Sequence, residues 1–125
     1  MNEETFLEAA ESGDFETVQQ LLDKGMDPDT QDLHGRSALL KSSKHGHLDI
    51  VQLLLNHGAD SNLRDNRGTS ALYWASNNGH EEIVQLLISH HSDVDIVDDR
   101  GWSAKDQAAT NHYTGIVNML EKAGA

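Results

Sequence analysis

Apolar and polar positions alternate in short helical blocks along the whole chain. Ile50, Val51, Leu54 and Leu55 fall at i, i+1, i+4 and i+5, one face of a 3.6-residue period. Ahead of them Ser37 stands before Ala38-Leu39-Leu40-Lys41-Ser42-Ser43-Lys44, and Gly46 follows. A Ser at an N-cap accepts an early helical N–H, and Gly tolerates the left-handed backbone at a helix stop. The pattern therefore predicts one helix over 37–45 and a second over 47–56, the latter stopped by Gly58. Ala59 to Gly68 is polar and turn-rich, and reads as an extended loop ending in a tight turn. The same reading elsewhere predicts helices over 3–11, 14–24, 70–78, 80–89, 103–111 and 113–122.

These blocks recur with a fixed interval. Asp32, Asp65 and Asp98 are 33 residues apart, as are Gly35, Gly68 and Gly101, Ser37, Ser70 and Ser103, and Ala38, Ala71 and Ala104. Val18, Val51, Val84 and Val117, with Leu21, Leu54, Leu87 and Leu120, carry the interval through four units. Gly13, Gly46 and Gly79 form a further column, which His112 breaks. No single helix pair can bury its apolar stripe. Stacked neighbours close a continuous seam, for which about three repeats are needed. The expected architecture is an all-α solenoid of helix-turn-helix units joined by β-turn loops: an N-terminal capping unit 1–31, units 32–64 and 65–97, and a C-terminal capping unit 98–125.

Composition narrows the function. The 125 residues are 37% hydrophobic and only 5% aromatic, which suits small increments of burial per unit better than one large core. Nine Lys and Arg against 21 Asp and Glu give a formal charge of -12, which argues against nucleic-acid backbones and anionic membranes as partners. The absence of Cys removes disulfides, thiolate metal sites and thiol nucleophiles. The stretch Met1-Asn2-Glu3-Glu4-Thr5-Phe6-Leu7-Glu8 has no basic region before an apolar run, so no secretory signal is expected. The longest apolar run is Ala71-Leu72-Tyr73-Trp74-Ala75, far short of the roughly 20 residues that span a bilayer. A soluble, cytoplasmic protein is the expectation.

The columns resemble the ankyrin repeat, whose pattern is Asp-x-x-Gly-x-Thr-Pro-Leu-His-x-Ala-Ala-x-x-Gly-His, then Ile-Val-x-x-Leu-Leu and Gly-Ala-Asp-x-Asn. The second unit has Gly46-His47, Ile50-Val51, Leu54-Leu55 and Gly58-Ala59-Asp60-Ser61-Asn62; the third has Gly79-His80, Ile83-Val84 and Leu86-Leu87-Ile88. The resemblance covers essentially the whole chain. It implies an ankyrin-type solenoid that binds proteins on a concave face made of turn tips and first helices.

Departures from the pattern are specific. Thr-Pro-Leu-His becomes Ser37-Ala38-Leu39-Leu40, Ser70-Ala71-Leu72-Tyr73 and Ser103-Ala104-Lys105-Asp106. Ala keeps helix propensity but gives up the preset dihedral of Pro at the first helical position. Loss of the His removes the hydrogen bonds it makes in the family, which predicts a less rigid stack. His91 stands where Gly25, Gly58 and Gly124 stand. At the ends, Glu3, Glu4, Glu8 and Glu11 make the first helix acidic. Lys105 replaces Leu39 and Leu72, and Glu121 replaces Leu22, Leu55 and Ile88, so both ends read as caps where the array stops.

Chemistry is sparse. Eight His invite a metal reading, but His45 and His47 flank a turn, His90-His91 lacks a third ligand at a readable spacing, and His57 and His90 suit helix C-termini. His47 and His80 are expected to pack and cap. Asp93, Asp95, Asp98 and Asp99 lack the spacing of a calcium loop and are assigned to turn backbone groups. No phosphate loop, nucleophile elbow or His-Glu-x-x-His occurs. No enzyme, cofactor or metal is expected.

Binding should fall where the units differ. The turn tips carry Leu33, Asn66 and Asp99, then His34, Arg67 and Arg100, and after the Gly come Arg36, Thr69 and Trp102. The first helices are expected to expose Leu40, Tyr73 and Asp106, then Lys41, Trp74 and Gln107, with Lys44, Asn77 and Thr110 near their ends. Both Trp and five of the nine cations lie in these columns. They point to a partner protein or peptide with acidic and apolar features, anchored on Tyr73, Trp74 and Trp102, the chain itself being monomeric. In the competing arrangement Trp74 packs on neighbouring first helices, and Arg67 and Arg100 pair with loop Asp residues. A second reading places Glu81, Glu82, Asp49, Glu16 and the N-terminal Glu residues on an opposite, acidic surface that masks a basic partner. A third is a structural or self-associating module.

Overall fold

Five of the eight helices among the described residues begin where a short polar side chain accepts an early N–H. Asn2, Asp14, Ser37, Ser70 and Ser103 each do so, for the N–H of Thr5, Thr17, Leu40, Tyr73 and Asp106. Ser103 also donates its own N–H to Asp106 Oδ2 (2.9 Å), completing a capping box. The computed structural model describes residues 2–125; Met1, which the first unit includes, lies outside them. Among the described residues the elements are α1 (Glu3–Ser12), α2 (Phe15–Asp23), α3 (Ala38–Lys44), α4 (Leu48–Asn56), α5 (Ala71–Asn77), α6 (Glu81–Ser89), α7 (Ala104–Thr110) and α8 (Thr114–Lys122). All eight lie within one residue of the expected bounds.

The helices form two layers. α1, α3, α5 and α7 pack in sequence as one layer and α2, α4, α6 and α8 as the other, each pair forming an antiparallel hairpin. The seam between the layers holds Phe6, Val18, Leu39, Ile50, Val51, Leu54, Leu72, Ile83, Leu87, Ile116 and Leu120, all fully buried. Each unit contributes a few such residues, so the core is continuous along the stack. On the end face Lys105 and Glu121, which replace apolar seam residues, form an ion pair at 3.3 Å.

The turn tips are held by their Asp. Oδ1 of Asp32 accepts the N–H groups of His34 and Arg36, that of Asp65 those of Arg67 and Thr69, and that of Asp98 those of Arg100 and Trp102, all at 2.8–3.0 Å. Neighbouring tips are then tied together: Asn66 N–H donates to His34 O (2.8 Å) and Asp99 N–H to Arg67 O (2.9 Å). The tips therefore stand in a fixed row. Asp93 likewise accepts the N–H of Asp95, so this acid also serves the loop.

His47 and His80 correct an expectation. Each sits at an N-cap position, yet neither side chain caps its helix. Instead Nε2–H of His47 donates to Glu11 O (2.9 Å) and that of His80 to Lys44 O (3.0 Å), both in the preceding unit. His57 is a C-cap residue, and its Nδ1 lies 3.0 Å from Leu53 O. The stack is also tied more firmly than loss of the family His implies, because the Tyr73 hydroxyl donates across units to Asp98 Oδ2 (2.8 Å).

His91 and His112 have a left-handed backbone with φ of 63°. At Gly25, Gly58 and Gly124, in the column of His91, a Cβ would find nothing within 4 Å, so a side chain there meets open space and only the backbone objects. We expect His91→Gly to gain about 0.5–1 kcal/mol, the left-handed penalty less the entropy that Gly brings to the unfolded chain. Thermal denaturation should show a melting point higher by about 2–5 °C. No rise would mean that the imidazole makes an interaction as large as the backbone penalty.

Candidate functional site

Two clefts line the row of turn tips and first helices, and seven of the twelve residues picked from the sequence divide between them. The first has a volume of about 390 Å³ and is lined by Arg67, Thr69, Tyr73, Trp74, Asp98, Asp99 and Arg100. Arg67 and Arg100 are exposed at adjacent tips, and neither forms an ion pair among the described residues, although Asp98 and Asp99 line the same cleft. Pairing of these arginines with loop Asp residues is thus not found. Trp74 is half-buried: its indole N–H donates to Thr69 Oγ1 (2.9 Å), its ring meets Tyr73 edge-on at 5.3 Å, and Lys44 Nζ lies 4.5 Å from its centroid. With the N–H occupied, Trp74 offers a ring face, and a cation over that face is attracted by the ring quadrupole.

Two residues expected on the exposed side of the first helices lie inside. Leu40 is 1% exposed and Tyr73 8%. α3 and α5 are each packed between two neighbours of their own layer as well as against their hairpin partners, so Leu40 and Tyr73 are covered, whereas the next column, Lys41 and Trp74, is half-buried. Tyr73 thus presents only part of its ring to the cleft. Burial first, then the hydrogen bond to Asp98 and that carboxylate's charge, push the Tyr73 phenol from 10.0 up to about 12. The neutral phenol is favoured in the fold, so its stabilising contribution is complete below pH 10 and is lost as pH rises towards 12. In urea titrations at successive alkaline pH values, wild type should lose stability across that window more steeply than Tyr73→Phe. Parallel curves would mean that the phenol titrates alike in both states.

The carboxylates at the tips shift the other way. Desolvation alone would raise Asp98, but N–H groups of Trp102 and Arg100, the Tyr73 hydroxyl and the Arg100 charge outweigh it and hold the carboxyl below its ordinary 3.8. Asp32 behaves similarly: desolvation opposes, while the N–H of Arg36, Lys41 and the N–H of His34 prevail. Their contribution to stability is complete above pH 3.8 and is lost as pH falls from there through the folded-state value.

The second cleft, of about 580 Å³, lies between α1 and the tip of the second unit. Leu33, His34 and Lys41 line it, together with Glu3, Glu4, Leu7, Glu8, Glu11, Gln31 and Asp32. The N-terminal acids are therefore on the same side as the turn tips, not on an opposite surface. The signal for this is in the sequence: Glu3, Glu4, Leu7, Glu8 and Glu11 follow one helical stripe, and Glu8 and Glu11 precede Lys41 and Lys44 by one 33-residue interval. Several cations in these columns are already engaged. Lys41 Nζ lies 3.0 Å from Asp32 and 3.6 Å from Glu11, and Arg36 Nε lies 3.7 Å from Asp65.

Five expected residues fall outside both clefts: Leu40 is buried, and Arg36 lies against Asp65. Trp102 is 46% exposed, and Lys44 covers Trp74. Asn77 spends its side-chain N–H on Asn78 Oδ1 (2.9 Å), while its carbonyl accepts from Asn111 (3.1 Å). The His45 and His47 rings stack at 6.3 Å, and among the described residues no three His, Asp or Glu side chains are grouped to hold a metal ion. No helix of the described residues is long and apolar enough to cross a membrane.

No curated protein matches the chain. A family model described as ankyrin repeats, in three copies, matches residues 6–98 and 58–125, which together span nearly the whole stack of helix pairs and pinned turn tips. The chain therefore belongs to the ankyrin-repeat family, whose members are generally non-catalytic modules for protein–protein interaction.

Proposed function

We propose that this chain is a monomeric, non-catalytic binding module of four units, 1–31, 32–64, 65–97 and 98–125, that takes an acidic, partly apolar segment of a partner protein on its concave side. The observation that carries this reading is the cleft of Arg67 and Arg100 beside Trp74. Two exposed guanidinium groups without an ion pair among the described residues, next to an aromatic face, suit bidentate recognition of carboxylates with an apolar neighbour. Arg and Trp are also the residue types that most often dominate binding energy. Trp102 extends the aromatic surface from the following tip.

Arg67→Glu combined with Arg100→Glu should abolish capture of the partner, or weaken it about tenfold or more, as for loss of a hot spot. The melting point should fall only slightly, because both side chains are exposed and form no ion pair among the described residues, although Asp98 loses the Arg100 charge. The check is affinity capture compared between wild type and the double variant, followed by titration with the recovered protein. An unchanged capture profile moves the site elsewhere.

A further inference from the structure

The cleft between α1 and the tip of the second unit differs from the arginine cleft in chemistry. Its floor is Leu7, its rim is Leu33, and carboxylates stand on both walls. Leu33 is 96% exposed, so folding does not use its side chain, whereas Asn66 and Asp99 hold the same place on the other tips. Among the described residues Lys41 is the one Lys or Arg lining this cleft, and it is held by Asp32 and Glu11. Glu3, Glu4 and Glu8 have no cationic partner among the described residues. An apolar trough edged with unneutralised carboxylates attracts positive charge and gains further from covering Leu33.

We infer that this groove docks a cationic segment of a partner protein, one with Lys or Arg on either side of a large apolar residue that sits on Leu7 and against Leu33. Anionic partners are repelled there. A metal ion would not need the leucines, and a small polyamine would satisfy the carboxylates but leave Leu33 uncovered. The concave side thus changes sign along the stack, from acidic at α1 to basic at the tips of Arg67 and Arg100. The inference is independent of the reading given above for the arginine cleft.

The test is selection from a random linear peptide library on the full chain, followed by fluorescence anisotropy with individual selected peptides. We expect a pool with net positive charge and a recurring Leu, Ile or Phe. Affinity should fall about fivefold to tenfold in Leu33→Ser and by a similar factor in Glu4→Gln/Glu8→Gln, whose altered side chains are exposed. Melting curves check that both variants stay folded. An acidic or neutral pool, no enrichment, or affinities indifferent to both variants would overturn the inference. Spermine that competes fully, with Leu33→Ser binding as wild type, would overturn it too, since charge alone would then suffice. Peptides lost on Arg67→Glu/Arg100→Glu but retained by Leu33→Ser belong to the other cleft and also count against it.

Discussion

Gly46→Ala should cost about 3 kcal/mol of folding free energy, whereas Gly58→Ala should cost about 1. Both glycines have a left-handed backbone, with φ of 78° and 82°. They differ in what a methyl group would meet. At Gly58 there is nothing within 4 Å, but at Gly46 the Cβ would lie 2.8 Å from Cε1 of His80 and 3.0 Å from its Nδ1. The ring would have to leave, and with it the hydrogen bond from His80 Nε2 to Lys44 O. Gly13 meets His47 and Gly79 meets Tyr113 in the same way, so each of these glycines is the seat for an aromatic ring of the next unit. His112, last in that column, is exposed. Urea denaturation of Gly46→Ala, Gly58→Ala, His80→Ala and the Gly46→Ala/His80→Ala double variant decides the matter. If the ring clash is the cause, His80→Ala should cost about 1–2 kcal/mol less in the Gly46→Ala background than alone. Equal costs for the two glycine variants would reduce the effect to backbone strain.

Ser43→Ala and Ser76→Ala together should raise stability by about 2 kcal/mol, which for a chain of this size is a melting point higher by roughly 6–10 °C. Both hydroxyls are completely buried and have no hydrogen-bond partner among the described residues. Each therefore carries the desolvation cost of a polar group without recovering it, and Ala is also the better helix former. The chain itself shows that Ala fits, since Ala10 occupies the same column and is fully buried. Ser42 is the control: equally buried, its hydroxyl donates to Ala38 O at 2.8 Å, so Ser42→Ala should stay within about 0.5 kcal/mol of wild type. Calorimetry on the double variant and on Ser42→Ala checks this. A destabilised Ser43→Ala/Ser76→Ala protein would mean that these hydroxyls are satisfied in solution.

Much of this is legible along the chain. The Ser caps, the Gly stops and the 33-residue interval all act within a few residues or between equivalent positions, so the bounds of the helices can be read within one residue. The exposed arginines can be read as well, because a polar tip between two helices has nowhere to be buried. Leu40 and Tyr73 escape such a reading because a column identifies equivalent positions but not which of them the neighbouring helices cover. The true surface of Glu8 and Glu11 needs one more step, continuing the Lys41 and Lys44 columns back into the first unit.

By itself the sequence determined the repeat, the family, the helical hairpin as the unit and the acidic balance, since periodicity and capping are local or translational properties. Only the tertiary structure decided which side chains are spent and which are free. It gave His47 and His80 to carbonyls one unit back, Tyr73 to Asp98 and Lys41 to Glu11, and among the described residues it left Arg67 and Arg100 without an ion pair and Leu33 exposed. The reason is geometric. A hydrogen bond or ion pair between stacked units depends on separations of a few ångströms between residues about thirty positions apart, and no pattern of residue types along a chain specifies those separations.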